Sequence, residues 1–291
     1  LGDVYKRQDY VGSEDEIMAE IRQLVCMLPG NNEGDVYTDT CEDDLNRACE
    51  SMETMKGDPR YLLSEISDGH VFFETKADYA KNMVTGLIKL NGMTVGAVAN
   101  CSEVYDEEGN KAETFDMSLT AQGCNKAAEF IQFCDAFSIP VLSITNVNGF
   151  KNCMCSEKKL AKALARMTYA FSNATCAKVN MITGEAYGSA YVFMNSKSIG
   201  ADLVYAWNDA KIGTMDSTMA AKIMYPDADA AEIKEKASEY EKLQSSATSA
   251  AARGYVDRII EPADSRKYLV AAFEMLYTKY VDEPEKKHGT K

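Results

Sequence analysis

Asn91-Gly92 separates two apolar runs, Val84–Leu90 and Met93–Ala99. No other dipeptide constrains the chain as tightly. Asn and Gly both tolerate the positive φ that a two-residue hairpin turn of type I′ demands, so the runs read as paired antiparallel strands. Around the hairpin, strand-length apolar runs alternate with amphipathic stretches. Strands are predicted at 70–74, 139–145, 177–183, 202–207 and 210–214. Helices are predicted at 14–28, 119–137, 157–173, 189–197, 228–246 and 264–280, with a short one opened by Asp58-Pro59. Strand–helix alternation with short connections predicts an α/β fold with right-handed crossovers. No fixed-period repeat interrupts it.

The first helix has a full signature. Ser13 and Glu16 form a capping box, Ile17, Ile21, Leu24, Val25 and Leu28 share a face, and Pro29-Gly30-Asn31-Asn32 stops it. Residues 29–57 are polar and acidic and read as a linker with one short helix near 43–54. Residues 103–113 read as a polar loop. In the helix at 119–137, Cys124, Ala127, Ala128, Ile131 and Cys134 share one face. Leu1–Gln8 has neither an initiator Met nor a pattern, and reads as a fragment end or a translated sequencing scar. Asp282 to Lys291 reads as a charged tail, and Glu232 to Lys242 as a solvated helix face. Tyr268, Phe273 and Tyr277 have helical spacing and are assigned to packing, as is Trp207 at a strand end.

Composition removes several function classes. Forty-five acidic against 31 basic residues give a net charge of −14, a field that repels phosphate backbones and argues against nucleic-acid binding. The longest uncharged stretch, 136–150, is 15 residues, short of the roughly 20 a membrane span needs. Without a basic-then-apolar start, the reading is cytoplasmic. Nine cysteines without framework spacing read as reduced residues, with Cys26, Cys124 and Cys134 at core positions. Cys153-Met-Cys155 lacks a second ligand pair, and His70 and His288 have no ligand spacing, so no metal is predicted. His70 is assigned to a strand edge.

Phosphate loops, nucleophile elbows and dinucleotide fingerprints are absent, and two histidines leave little for a histidine triad. What remains is Thr183-Gly-Glu-Ala-Tyr-Gly188-Ser189-Ala190-Tyr191. Small residues stand where a buried strand ends and a helix begins. Free N–H groups there can converge on one point and hold a developing anionic oxygen; losing one such donor typically costs about 3 kcal/mol of transition-state stabilisation. A tight turn kept small for packing alone fits the same residues. A second turn, Asn146-Val147-Asn148-Gly149-Phe150, also follows a strand.

Many segments occur together in register: Leu90-Asn-Gly-x-Thr-Val-Gly96, Phe133-Cys-Asp-Ala-Phe-x-Ile-Pro-Val141, Asn146-Val-x-Gly-Phe150, Ala186-Tyr-Gly-x-Ala190-Tyr, Gly200-Ala-Asp-x-x-Tyr-Ala-Trp207 and Ala252-x-Gly-Tyr-Val-Asp. From about residue 80 to 280 the chain resembles the C-terminal half of the biotin-dependent acyl-CoA carboxyltransferases. These include the propionyl-CoA carboxylase β subunit and the methylmalonyl-CoA decarboxylase α subunit.

The resemblance implies a crotonase-like (ClpP/crotonase) spiral of ββα units, with 58–291 as the C-terminal carboxyltransferase domain and 9–57 as a remnant of the preceding half. It implies a carboxyl group moved between biotin and an acyl-CoA of the methylmalonyl, propionyl, malonyl or acetyl class. Biotin would ride on a separate carrier, a biotin carboxyl carrier protein. An N-terminal acyl-CoA-binding half, a dimer-based ring and, in decarboxylases, a membrane subunit would be partners. Amides of Ser189 and Ala190 would form the oxyanion hole and Gly188 would allow the turn. Asn148, Gly149, Phe150 and Tyr187 would line the biotin side, and Val192 aligns with a position that tunes acyl-chain choice. The chain alone would have little activity. Three departures stand out. Asn146-Val-Asn-Gly-Phe replaces the usual Asp-Val-Pro-Gly-Phe, Ser189 replaces the second glycine of Gly-Gly-Ala, and Glu157-Lys-Lys-Leu replaces a glycine-rich segment. Two other readings stay open: a non-catalytic assembly subunit, and a biotin-independent hydratase or isomerase using Glu185.

Overall fold

A computed structural model describes residues 8–106 and 108–282. The first seven residues, and the charged tail from 283 with His288, lie outside the described residues. The capping box at Ser13 opens helix α1 (Glu14–Met27), with the Ser13 side chain accepting from the Glu16 amide and Glu16 reaching back to the Ser13 amide. Residues 29–57 are bound to the body. Thr38 N donates to Gly92 O, Thr94 N to Val36 O and Cys49 N to Ala263 O, while Met52 is fully buried. The helix expected near 43–54 is only a 3-10 turn, Met52–Met55.

Asp58 caps α2 (Pro59–Ile66), which leads to strand β1 (Phe72–Thr75). His70 is not on the strand: it sits in the preceding 3-10 turn at φ +58°, with Nδ1 3.3 Å from Glu65. The hairpin forms as β2 (Met83–Leu90) and β3 (Met93–Asn100), with Asn91 at φ +51° and Gly92 at +76°. Nearly every residue of both strands is buried, which matches runs that are mostly apolar on both faces rather than alternating. The loop expected at 103–113 folds instead into a ribbon of β4 (Glu103–Tyr105) and β5 (Lys111–Thr114), followed by β6 (Ser118–Leu119).

Thr120 caps α3 (Ala121–Ala136), which leads to β7 (Val141–Val147), β8 (Gly149–Phe150) and α4 (Met154–Asn173). Gly96 of β3 lets α3 approach closely, since a Cβ there would fall 2.4 Å from Cys134 Sγ. Cys124 and Cys134 are buried as expected, but Cys26 is exposed, because α1 turns that side to solvent.

Strand β9 (Lys178–Tyr187) runs four residues past its predicted end. The extension has a partner that the local pattern cannot reveal. β10 (Leu203–Trp207) pairs with its first half, and β11 (Lys211–Gly213) pairs with residues 185–187. Helix α5 (Gly188–Phe193) starts where predicted, within one residue, but ends four residues before the predicted 197. The stretch 228–246 is not one helix but α7 (Ala230–Tyr240) followed by a π turn at Glu241–Ser245. Helices α6 (Ser217–Met224) and α8 (Ala247–Ala252) and strand β12 (Arg258–Ile260) were not anticipated. Helix α9 (Ser265–Leu276) ends the described fold; Ser265 Oγ accepts from the buried Trp207 Nε1 at 3.0 Å.

Among the described residues the main sheet has eight strands in the order β1-β2-β3-β7-β9-β10-β12, with β11 also on β9. The β1–β2–β3 edge is antiparallel and the rest is parallel. This is the α/β class expected, and it puts the carboxyl ends of β7 and β9 side by side.

Candidate active site

Ligands of parallel α/β sheets collect outside the carboxyl ends of the strands. An open cleft of about 580 Å³ lies there. One wall is the exit of β7, with Asn148, Gly149 and Phe150. The second is the exit of β9, with Glu185, Tyr187, Gly188, Ser189 and Ala190. The third leads into α6, with Thr214, Met215, Asp216 and Met219.

The two exits are built differently. The β7 exit is held by backbone: β8 pairs with β6, Asn148 N donates to Met117 O at 2.8 Å and Lys151 N donates to Leu119 O at 2.9 Å. The Phe150 ring packs on Phe193 of α5, centroids 6.1 Å apart, so the two walls touch. The β9 exit turns on one glycine. Tyr187 is extended, Gly188 takes φ +58°, and a Cβ at Gly188 would lie 3.1 Å from Thr214 O. Ser189 is not among the non-glycine residues in the left-handed region, so a serine is tolerated there. Helix α5 has no side-chain cap. Its first N–H groups precede any i→i−4 acceptor of the helix, and among the described residues no side chain and no loop carbonyl accepts from the Ser189 or Ala190 amide.

The cleft mixes polar and apolar groups and carries two carboxylates, Glu185 and Asp216. Burial, followed by the charges of Glu185, Asp216 and Glu241, raises the pKa of the Tyr187 hydroxyl. Tyr187 therefore stays protonated at neutral pH. Asp216 is occupied as a helix cap, its Oδ1 accepting from Thr218 N and Met219 N at 3.0 Å each. The Glu185 carboxylate has no hydrogen bond or ion pair among the described residues; its backbone N donates to Asn146 Oδ1.

Seven of the eight sequence candidates meet here: Asn148, Gly149, Phe150, Tyr187, Gly188, Ser189 and Ala190. Val192 does not line the cleft; it packs, half-buried, on a second core cluster that includes Ile182 and Val204. Sequence reasoning missed Met215, Asp216 and Met219, although Asp216 before Ser217-Thr218 carried a readable helix-start signal. No group of three or more side chains that could hold a metal occurs among the described residues. No helix there is long and apolar enough to cross a membrane.

Comparison with known proteins shows the family. The pattern of the carboxyl transferase domain matches residues 8–290. The methylmalonyl-CoA decarboxylase subunit alpha of Propionigenium modestum is 38% identical over 93% of this chain and 53% of its own length. The propionyl-CoA carboxylase carboxyltransferase subunit of Haloferax mediterranei is 37% identical over 95% of this chain and 54% of its own. A crystal structure of transcarboxylase 12S, with hydrolysed methylmalonyl-coenzyme A bound, superposes with a TM-score of 0.82 at 35% identity, covering 93% of this chain and 53% of that one. The chain spans about half the length of the curated relatives it matches. It belongs to the carboxyl transferase domain family.

Proposed function

We propose that this chain is part of a carboxyltransferase subunit that moves a carboxyl group between biotin and an acyl-CoA, within an acyl-CoA carboxylase or decarboxylase complex. The observation that carries the reading is the pair of amides, Ser189 and Ala190, in the first turn of the uncapped helix α5 at the edge of the cleft. The residues fit a neutral ureido ring: two amide donors, the Gly188 turn that frees them, and the Phe150 ring and Asn148 opposite. Bound biotin would supply the nitrogen that carries the carboxyl group and much of the proton handling. The chain's own part is to orient the ring and to hold negative charge on its carbonyl oxygen through the two N–H groups. Tyr187, kept protonated, keeps further negative charge out of the floor of the cleft.

The finer reading follows the family. Biotin arrives on a carrier protein, an N-terminal half binds the acyl-CoA, and the working unit is a dimer-based ring in the cytoplasm. Titrating the ¹⁵N-labelled chain with free biotin tests the core of it. The Ser189 and Ala190 amide resonances should shift together and saturate. Saturation without a response at either amide overturns the reading. Capture of a biotinylated carrier supports a transferase, whereas a stable oligomer without biotin affinity favours an assembly subunit. One observation favours a second reading, a biotin-independent hydratase: the unpaired Glu185 carboxylate lines the cleft. Enoyl-CoA hydration by the chain that is abolished in Glu185→Gln would establish it.

A further inference from the structure

Pairing slips where β7 and β9 leave the sheet. Thr145 faces Ile182 and Val147 faces Ala186, so Asn146 alone stands opposite Thr183, Gly184 and Glu185. A bulge of this kind breaks the main-chain ladder and leaves buried donors in need of other acceptors. Asn146 meets that need with its side chain: Oδ1 accepts the Glu185 N–H at 3.0 Å. Only 7% of Asn146 is exposed, so water cannot substitute. Gly184 is fitted to the same group, since a Cβ there would lie 2.5 Å from Asn146 Oδ1 and 2.9 Å from its Cγ.

The contact continues on the other side of Asn146. Its N–H donates to Asn100 Oδ1 at 3.2 Å, at the end of β3. Asn100 Nδ2 in turn donates to Met194 Sδ at 3.7 Å, at the C-terminal end of α5. The segment carrying the cleft amides is therefore pinned in front, at Glu185, and behind, at Met194. Ser189 and Ala190 lie between the two pins.

We infer that Asn146 is a positioning residue for the carboxyl-transfer site: its carboxamide, clasped against Gly184 and Glu185, sets where the Ser189 and Ala190 amides point. Asn146 does not line the cleft, so it acts through the 185–190 turn. The functional half of this inference rests on the biotin reading; the structural half rests on the clasp alone.

Three variants of the full chain test it. Asn146→Asp keeps an Oδ acceptor. Asn146→Leu keeps the volume and removes the acceptor. Gly184→Ala keeps Asn146 and drives a methyl group into it. Two quantities are measured: amide hydrogen exchange across 185–190, with the β2–β3 hairpin as the control for global opening, and free-biotin affinity from amide shifts. Loss of one shielded hydrogen bond predicts about tenfold faster exchange at Glu185 and about tenfold weaker biotin binding in Asn146→Leu and Gly184→Ala. Asn146→Asp should stay close to the parent in both, and the hairpin should be unchanged. Parent-like exchange and affinity in Asn146→Leu overturn the inference. Fast exchange with parent-like affinity also overturns it, while leaving the biotin reading intact. A parent chain that binds no biotin, combined with fast exchange confined to 185–190 in Asn146→Leu, supports the clasp and removes the biotin reading. If Asn146→Leu does not fold, Gly184→Ala decides on the same measurements.

Discussion

Helices α1 and α3 carry the same kind of apolar periodicity, yet α3 buries nine residues and α1 buries one, Met27. Ile17, Ile21 and Val25 of α1 are 36%, 48% and 65% exposed, while Ile131 of α3 is fully buried. Both helices are well capped. A periodic face therefore states that a helix has something to bury, and the neighbouring elements decide whether it is buried. α3 has β2, β3 and α4 to lie against; α1 lies on the rim, over an apolar recess lined by Phe73, Leu87, Phe130 and Phe133.

The widest gap between the two helices should appear on truncation. Ile131→Ala should lose roughly 2–5 kcal/mol in denaturant unfolding, because a buried side chain leaves a cavity behind. A loss below about 1 kcal/mol would place α3 in the same class as α1.

A pH effect should come next, from the buried lysine of α3. Lys126 is buried among apolar residues, with Nζ donating to Lys76 O at 2.8 Å and Tyr79 O at 2.9 Å. Burial, only partly offset by Glu74, lowers its pKa to about 8. The unfolded amine titrates near 10.4, so between those values the unfolded state binds more protons and stability rises with pH. Below about pH 8 the burial penalty is present in full. The stability of the parent relative to Lys126→Met should therefore climb by up to about 3 kcal/mol between pH 8 and 10.5. A flat difference would mean that the ammonium is solvated.

The caps sharpen the contrast further. Thr120 Oγ1 accepts from Gly123 N at 3.0 Å, and Thr120→Ala should cost about 1 kcal/mol of global stability. Ser13→Ala removes a capping box, but it should only speed amide exchange over 14–27, because α1 can fray without opening the core. The smallest effect belongs to Ile21→Ala, expected within about 0.5 kcal/mol by the same unfolding measurement. A large loss there would show α1 to be integral to the core.

The same division runs through the rest of the fold. The Asn91-Gly92 hairpin, the α3 face and the Gly188 turn were legible because each depends on residues adjacent in sequence. The ribbon at 103–114 was not, because short exposed strands have no apolar period to read. The end of β9 was misplaced because Glu185 to Tyr187 become strand through distant partners, β11 more than twenty residues further on and Val147 of β7. In the site, seven candidates converge, yet Asp216 and Met219 enter from α6, and Val192 faces a different cluster.

The sequence by itself determined the strand and helix alternation, the chain's acidic character, and the small residues that let β9 turn into α5, since these follow from local φ preferences and periodicity. Tertiary structure alone decided which apolar faces are covered and which strand ends lie together. It also made Asn146 and Gly184 a pair, thirty-eight positions apart, at a bulge in the ladder. Such pairings arise from shape and hydrogen-bond demand between distant segments, and no local pattern encodes them.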